Sequence, residues 1–258
     1  MAADLDFSNR SALITGAASG IGAAAAHWLD RHGIARLVLV DRNADGLAAL
    51  KLGCQVELLP GDISDPDFWS DFAGRPAFDH LVVNAGIPDA FPVAGGDMQD
   101  VFRRWRRVMA VNLDGAFLTL AAVLGAMQQA GGGSVVVTAS AAAIKAEPTT
   151  AAYAASKAAL VQLAKVAARE SAASGVRVNA IAPGGVDTPI WDAMDFFTDM
   201  TREAGSRDAA IRAMGRMGTP LGRYASAEEI AGQIGFLLSD MAATMTGTVL
   251  SSDGGYTL

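Results

Sequence analysis

In the run TTAAYAASKAALVQLAKVAARE, Tyr153 and Lys157 stand four residues apart in a stretch otherwise rich in alanine. Alanine at that density predicts a helix, and on a helix positions i and i+4 share a face, one turn apart. A phenol and an ammonium brought into one site can move a proton. A free phenol, with a pKa near 10, is a poor base at neutral pH, and an adjacent cation stabilises its phenolate. Lowering it by about two to three pH units needs roughly 3–4 kcal/mol of differential stabilisation. One close ion pair in a partly desolvated pocket can supply much of that. The alternative is an exposed tyrosine beside an exposed lysine on a solvated helix face. The rest of the chain decides whether a pocket exists there.

The second chemical feature is LITGAASGIGAAAAHWL, which places Thr15, Gly16, Gly20 and Gly22 after an expected strand and at the opening of a helix. Glycines at such a junction permit a tight turn and close backbone approach, and the helix N-terminus offers free N–H groups to a pyrophosphate. The spacing is Gly-x-x-x-Gly-x-Gly rather than the more familiar Gly-x-Gly-x-x-Gly. Nineteen residues after Gly22, the next strand ends in Asp41, followed by Arg42. An acid there can accept hydrogen bonds from an adenosine ribose and repel a 2′-phosphate, which favours NAD over NADP. Asp41 as a cap for the helix beginning near Asn43 is the structural alternative.

The elements that must position these residues alternate regularly. Apolar runs at 11–15, 36–41, 55–60, 79–84, 133–139, 176–182 and 246–252 read as strands, most of them apolar throughout, as in a sheet covered on both faces. Helical patterns lie near 20–32, 43–50, 65–73, 98–130, 151–174 and 226–239. This order predicts an α/β fold with a doubly wound parallel sheet of about seven strands and helices on both faces. The rhythm breaks from 186 to about 225, a connection holding Trp191, Met194, Phe196, Phe197, Met200, Met214 and Met217. A connection this long is expected to carry helices of its own, its apolar side chains either packing it down or lining a substrate pocket as a lid.

Composition bounds the remaining choices. The 258 residues, 51% hydrophobic and 18% charged, suffice for one domain with a buried core. A net charge of −7 argues against nucleic acid. The one basic cluster, Arg103, Arg104, Arg106 and Arg107, has helix-face spacing and reads as a solvated or subunit-contacting face. The lone Cys54 fits a reducing cytoplasm and provides no zinc cluster. The N-terminus shows no signal-peptide pattern, and no run of about 18 apolar residues marks a membrane span. The expectation is a cytoplasmic protein. His27, His32 and His80 lie away from the motifs and read as structural or surface residues, and no metal is expected.

Taken in order, the motifs resemble those of the short-chain dehydrogenase/reductase family, in its single-domain branch of about 250 residues, over nearly the whole chain. TGAASGIG (15–22) is similar to its cofactor turn, GDIS (61–64) to the segment whose acid meets the adenine, and NAG (84–86) to the stretch closing the fourth strand. VNLDGAF (111–117) carries Asn112, Ser140 lies thirteen residues before Tyr153, and NAIAPGGVDT (179–188) ends in Thr188. The one departure is TASA where paired serines are commoner, with Ser140 still in register. The resemblance implies a Rossmann-type domain over 1–258. Its catalytic set would be Asn112, Ser140, Tyr153 and Lys157. Its cofactor contacts would be Gly16, Ser19, Gly20, Ile21, Gly22, Asp41, Arg42, Asp62, Ile63, Asn84, Ala85, Gly86, Pro183, Gly184, Val186 and Thr188, together with Tyr153 and Lys157.

By the same resemblance, Tyr153 exchanges a proton with a secondary alcohol or ketone while hydride passes to or from NAD. Lys157 also holds the nicotinamide ribose, Ser140 aims the substrate oxygen, and Asn112 orients a water that links Lys157 to solvent. A homo-oligomer, tetramer or dimer, is implied as well. Two rivals stand beside this reading: an NADP-linked reductase of 3-oxoacyl or sugar-derived carbonyls, and a protein that senses NAD(H) without turnover. The substrate is a small molecule whose class the sequence leaves open. Aromatic residues of 186–225 favour an apolar pocket, whereas Arg202, Arg207, Arg212 and Arg216 nearby offer to meet a carboxylate.

Overall fold

In the computed structural model, which describes residues 5–72 and 74–258, the expected alternation is present. The expectations for the N-terminus and for the end of the 65–73 helix fall partly on residues outside those described. The chain runs through β1 (Ser11–Thr15), α1 (Gly20–Arg31), β2 (Arg36–Asp41), α2 (Ala44–Ala49), β3 (Gln55–Pro60), α3 (Pro66–Ser70) and β4 (His80–Val83). It continues through α4 (Met98–Met109), a π turn at Ala110–Asp114, α5 (Gly115–Ala130), β5 (Gly133–Thr138), α6 (Ala151–Ser171) and β6 (Val176–Pro183). After β7 (Val186–Asp187), α7 (Asp195–Ala204), α8 (Arg207–Gly218), β8 (Ala225–Ser226) and α9 (Ala227–Leu238), it ends with β9 (Val249–Ser252).

Seven strands form one sheet in the order β3-β2-β1-β4-β5-β6-β9, all pairs parallel. The alternation of side chains across each strand feeds two separate cores. Leu13, Val38, Leu81 and Val135 face the layer of α5 and α6, meeting Leu120, Val123 and Leu160. Ile14, Leu37, Leu39 and Val82 face α1 and α9, meeting Trp28, Leu29 and Ile234. This is why the strands read as apolar without a polar face. Helices α1 and α9 approach closely because Gly235 gives way to an indole: a Cβ there would lie 2.2 Å from the Trp28 ring.

From β1 the chain moves outward to β2 and β3, then returns to the other side for β4. The carboxyl ends of β1 and β4 therefore flank the switch in direction, where a crevice opens in sheets of this type.

One helix bears on the membrane expectation, although Asn112, Asp114 and Thr119 interrupt its apolar residues. The continuous helical stretch Met98–Ala130 contains an 18-residue window that is long and apolar enough to cross a bilayer by length and composition. Its apolar side chains include Ala116, Leu120, Val123 and Met127, which cover the sheet.

Candidate active site

The glycine turn is held by backbone contact. Gly16 takes φ +68°, and a Cβ on it would stand 2.7 Å from the Ala85 Cα. A Cβ on Gly22 would stand 2.0 Å from the Gly16 carbonyl oxygen. Asn84 clamps the turn by donating from Nδ2 to the carbonyls of Thr15 (3.1 Å) and Gly16 (3.2 Å). The Thr15 hydroxyl accepts from the Asn84 N–H at 3.0 Å. Ser19, at the N-cap of α1, makes no side-chain cap, so the first N–H groups of a 12-residue helix are open beside a cavity that Ser19, Gly20 and Ile21 line. That combination fits a bound pyrophosphate.

Asp41 closes β2, and its carboxylate accepts from the N–H groups of Ala18 (3.0 Å) and Asn43 (2.9 Å). The cap of α2 is Asn43, which accepts from Gly46 N–H at 3.0 Å, so the helix-cap alternative for Asp41 fails. Arg42 is exposed next to it. Asp62 forms a tight turn onto Ser64 and lies exposed, while Ile63 is buried against Gly115, where a Cβ would come within 2.7 Å of it.

At the carboxyl edge of the sheet lies a cavity of about 570 Å³. Asn84, Gly86, Ser140, Tyr153 and Lys157 share its wall, joined by Pro183, Gly184, Val186 and Thr188 from the end of β6 and the chain after it. Gly16, Gly22, Asp41, Arg42, Asp62, Ile63 and Ala85 lie outside this wall, around the turn and the adjoining strand ends. The Lys157 ammonium is almost wholly buried, 5.6 Å from the centroid of the Tyr153 ring, and donates to the Thr138 carbonyl at 2.9 Å. Burial pushes it down to about 8. The same desolvation pushes the Tyr153 phenol above its ordinary value, and a hydrogen bond from Ser140 pulls the other way. The sequence argument expected the ammonium to make the phenol acidic. Burial prevails, because desolvation disfavours the charged form of both groups.

Asn112 sits in the π turn, fully buried. Its Oδ1 accepts from Ile87 N–H at 2.8 Å, and its Nδ2 donates to the Ile87 carbonyl (3.0 Å) and the Ser156 hydroxyl (3.1 Å). Both donors are spent, and only a second lone pair of Oδ1 is left for a water. The side chain thus fixes the loop after β4 first. Gly86 explains how it comes near Lys157: a Cβ there would lie 3.3 Å from both Asn112 Oδ1 and Lys157 Nζ.

The 186–225 connection carries two helices, and its ends meet in the parallel pair β7–β8, Val186 opposite Ala225. Phe197, Ala210, Ile211 and Met214 form its own small core, with Trp191, Met194, Met200 and Tyr224 packed around it. Trp191, Met194 and Phe196 also face the cavity, so the two readings of its apolar residues are both realised. Met217 is exposed.

Several expectations are corrected here. Arg207 does not offer itself to a ligand: it pairs with Asp187 (2.6 Å) and Asp192 (3.0 Å) and donates to the Thr188 carbonyl at 2.9 Å. Arg202 pairs with Asp199, and Arg212 and Arg216 border a separate cleft. The basic cluster is only partly solvated, because Arg104 and Arg107 grip the buried carboxylate of Asp89. Glu147 and Tyr256, unremarked in the sequence, both line the cavity. Neither sits in a motif, and Tyr256 comes from the C-terminal tail, so only the folded chain reveals them. His80 is buried against Phe7, and His32 stacks on Trp28 at 3.6 Å, both structural.

The profile of a family described as enoyl-(acyl carrier protein) reductase matches residues 16–257. A solved structure described as a short chain dehydrogenase/reductase family protein superposes with a TM-score of 0.83 at 33% identity, covering 98% of this chain and 100% of that one. The chain belongs to the short-chain dehydrogenase/reductase family. Similar relatives in this family include the cis-4-hydroxycyclohexanecarboxylate dehydrogenase of Sinomonas cyclohexanicum, 38% identical over 97% of this chain and 98% of the relative. The D-threitol dehydrogenase of Mycolicibacterium smegmatis is also 38% identical, over 100% of this chain and 97% of the relative. The L-sorbose reductase of Gluconobacter frateurii, solved with NADPH and L-sorbose, superposes with a TM-score of 0.88 at 28% identity, covering 98% of each chain. This short-chain dehydrogenase/reductase acts on CH–OH groups with a nicotinamide cofactor.

Proposed function

We propose that the protein oxidises a secondary alcohol, or reduces the matching ketone, with NAD(H), and that Tyr153 is the general acid and base. The observation that carries this is the shared cavity wall: the Tyr153 phenol, the Ser140 hydroxyl and the Lys157 ammonium lie together beside the open N-terminus of α1. The dinucleotide would be held by the glycine turn with Ser19, Gly20 and Ile21, by Asp41 at its ribose end, and by Asn84, Gly86, Pro183, Gly184, Val186 and Thr188. When bound, the oxidised nicotinamide supplies the hydride acceptor and a positive charge beside which a phenolate is stable. The protein's residues handle the proton. Burial keeps the phenol protonated, which suits donation to the oxygen of a ketone as it gains electrons. In the oxidising direction the phenolate takes the hydroxyl proton, with Ser140 directing the substrate oxygen and Lys157 providing the adjacent cation. The 186–225 segment closes over this chemistry as a lid.

Absorbance of NADH across a panel of secondary alcohols tests the reading. Tyr153→Phe is expected to lower kcat by about a thousandfold, within the usual reach of acid–base catalysis, while cofactor affinity stays within about twofold. Half the wild-type rate would remove Tyr153 from this role. The choice of NAD rests on Asp41, whose carboxylate accepts from the Ala18 N–H of the first turn while Asn43 provides the side-chain cap of α2. Asp41→Ala is expected to narrow the preference for NAD over NADP by about tenfold, read as the ratio of kcat/KM values. An unchanged ratio would hand selection to another group.

A further inference from the structure

Three charged side chains reach the cavity wall: Asp89, Glu147 and Lys157. Asp89 is already answered by Arg104 and Arg107, and Lys157 is committed to Thr138 and the Tyr153 ring. Neither Glu147 nor Lys157 has an ion-pair partner among the described residues, so Glu147 is the one acid on the wall that no cation answers.

The position of that carboxylate is nevertheless fixed. Tyr256 donates its phenolic hydrogen to Glu147 Oε1. The Lys145 ammonium lies 4.2 Å from the centroid of the Tyr256 ring and donates to the Tyr256 carbonyl at 2.9 Å, pinning the tail from outside the cavity. Two residues on, Thr149 has φ +68°, an uncommon conformation for a β-branched residue, and its carbonyl accepts from Phe91 N–H at 2.8 Å. The chain between Ser140 and Tyr153 is therefore bent, against local preference, into a shape that brings Glu147, Pro148 and Thr149 to the wall. The same wall carries the apolar Ile190, Trp191, Met194 and Phe196. Apart from Lys157, the cavity wall carries no basic side chain among the described residues.

We infer that Glu147 selects the substrate: the cavity takes a neutral alcohol that carries a second hydroxyl on an apolar body, and turns away hydroxy acids of the same skeleton. An ionised carboxylate only accepts hydrogen bonds, so a second hydroxyl can donate to it where a substrate carboxylate meets like charge, the one cation on the wall, Lys157, being committed to Thr138 and the Tyr153 ring. The word substrate rests on the dehydrogenase reading, whereas the charge selection does not.

Matched pairs test it, namely 4-(hydroxymethyl)cyclohexanol against 4-hydroxycyclohexanecarboxylate, and butane-1,3-diol against 3-hydroxybutyrate. Wild-type kcat/KM is expected to favour each diol by about tenfold or more, the size of a like-charge repulsion in a half-exposed pocket. Glu147→Gln keeps the shape and removes the charge, and it is expected to bring the ratio close to one, chiefly through a lower KM for the acid. Tyr256→Phe releases the carboxylate without neutralising it, so it should weaken the diol by a fewfold while the acid stays excluded. A wild-type preference for the acid, or a ratio unmoved by Glu147→Gln, overturns the inference. Calorimetric binding of the same pairs to the Tyr153→Phe protein with NAD, with and without Glu147→Gln, reads selection without hydride transfer. Should the wild type oxidise neither compound, tighter diol binding that Glu147→Gln abolishes upholds the charge selection while the dehydrogenase reading fails. Equal binding of diol and acid overturns it.

Discussion

The glycine turn and the 186–225 segment border one cavity but are held in opposite ways. In the turn, backbone meets backbone: Gly22 against the Gly16 carbonyl, Gly16 against the Ala85 Cα, and one asparagine bonded to two carbonyls. The 186–225 segment depends on side chains, with Arg207 bridging Asp187 and Asp192 and a satellite core of four buried residues. Backbone contacts tolerate almost no substitution, because no rotamer can relieve them. Side-chain contacts can be rebuilt from other residues. The two borders of the cavity thus differ in what a substitution meets: backbone that cannot yield at the glycines, side chains that can repack in the 186–225 segment.

The sharpest way to break this contrast is Gly22→Ala. Its methyl would overlap a carbonyl oxygen that cannot move without opening the turn. Cofactor binding is expected to disappear, with stability falling by about 3 kcal/mol, the upper part of the range for overpacking. Titration of NAD by calorimetry and a urea melt would read both, and retained binding would show that the turn has slack.

The floor between the two regions offers the next test. Burial brings the Lys157 ammonium to about 8, against about 10.4 in the unfolded chain. Below pH 8 the lysine is charged in both states, and its desolvation weighs fully against folding. Between about 8 and 10.4 the unfolded chain binds more protons, so the penalty fades as pH rises. Lys157→Met should therefore be more stable than wild type by about 3 kcal/mol at pH 7. That gap should close toward pH 10, and turnover should be lost throughout. Melts across this pH range decide it; a variant less stable at pH 7 would mean the ammonium supports the fold.

The smallest effect is expected in the 186–225 segment. Arg207 is about one-third exposed, so its ion pairs are screened, and Arg207→Ala should change stability by about 1 kcal/mol or less. Because the guanidinium also holds the Thr188 carbonyl, KM for the alcohol should rise severalfold with kcat little altered. A large loss of stability in that variant would make the segment part of the main core, and the contrast drawn above would dissolve.

The same distinction explains what was legible in the sequence. Strands apolar on both faces, glycines with no room for a methyl, and a tyrosine and lysine one helical turn apart are all local facts. Each is written where it acts. Asp41 could be placed because it ends a strand, although two local readings of it competed until Asn43 proved to be the cap. Arg207 and Glu147 could not be assigned, because their partners lie up to 109 residues away and are chosen by packing. Arg104 and Arg107 misled for the same reason: helix spacing shows that they share a face, but not that a loop delivers Asp89 beneath it. The burial that raises the phenol was equally invisible, since it is a product of how the chain packs.

Between Met109 and Gly115 the long helix contains one turn of π type. Such a turn holds an additional residue, so everything beyond it is rotated by about 100° from the path of an unbroken α-helix. Before the turn, Arg104 and Arg107 are aimed at a carboxylate; after it, Ala116, Leu120 and Val123 are aimed at the sheet. Regular geometry would swing one of these seams more than a quarter of the way round. The surplus residue acts as a phase shifter, letting a single rod serve two neighbours that lie in different directions.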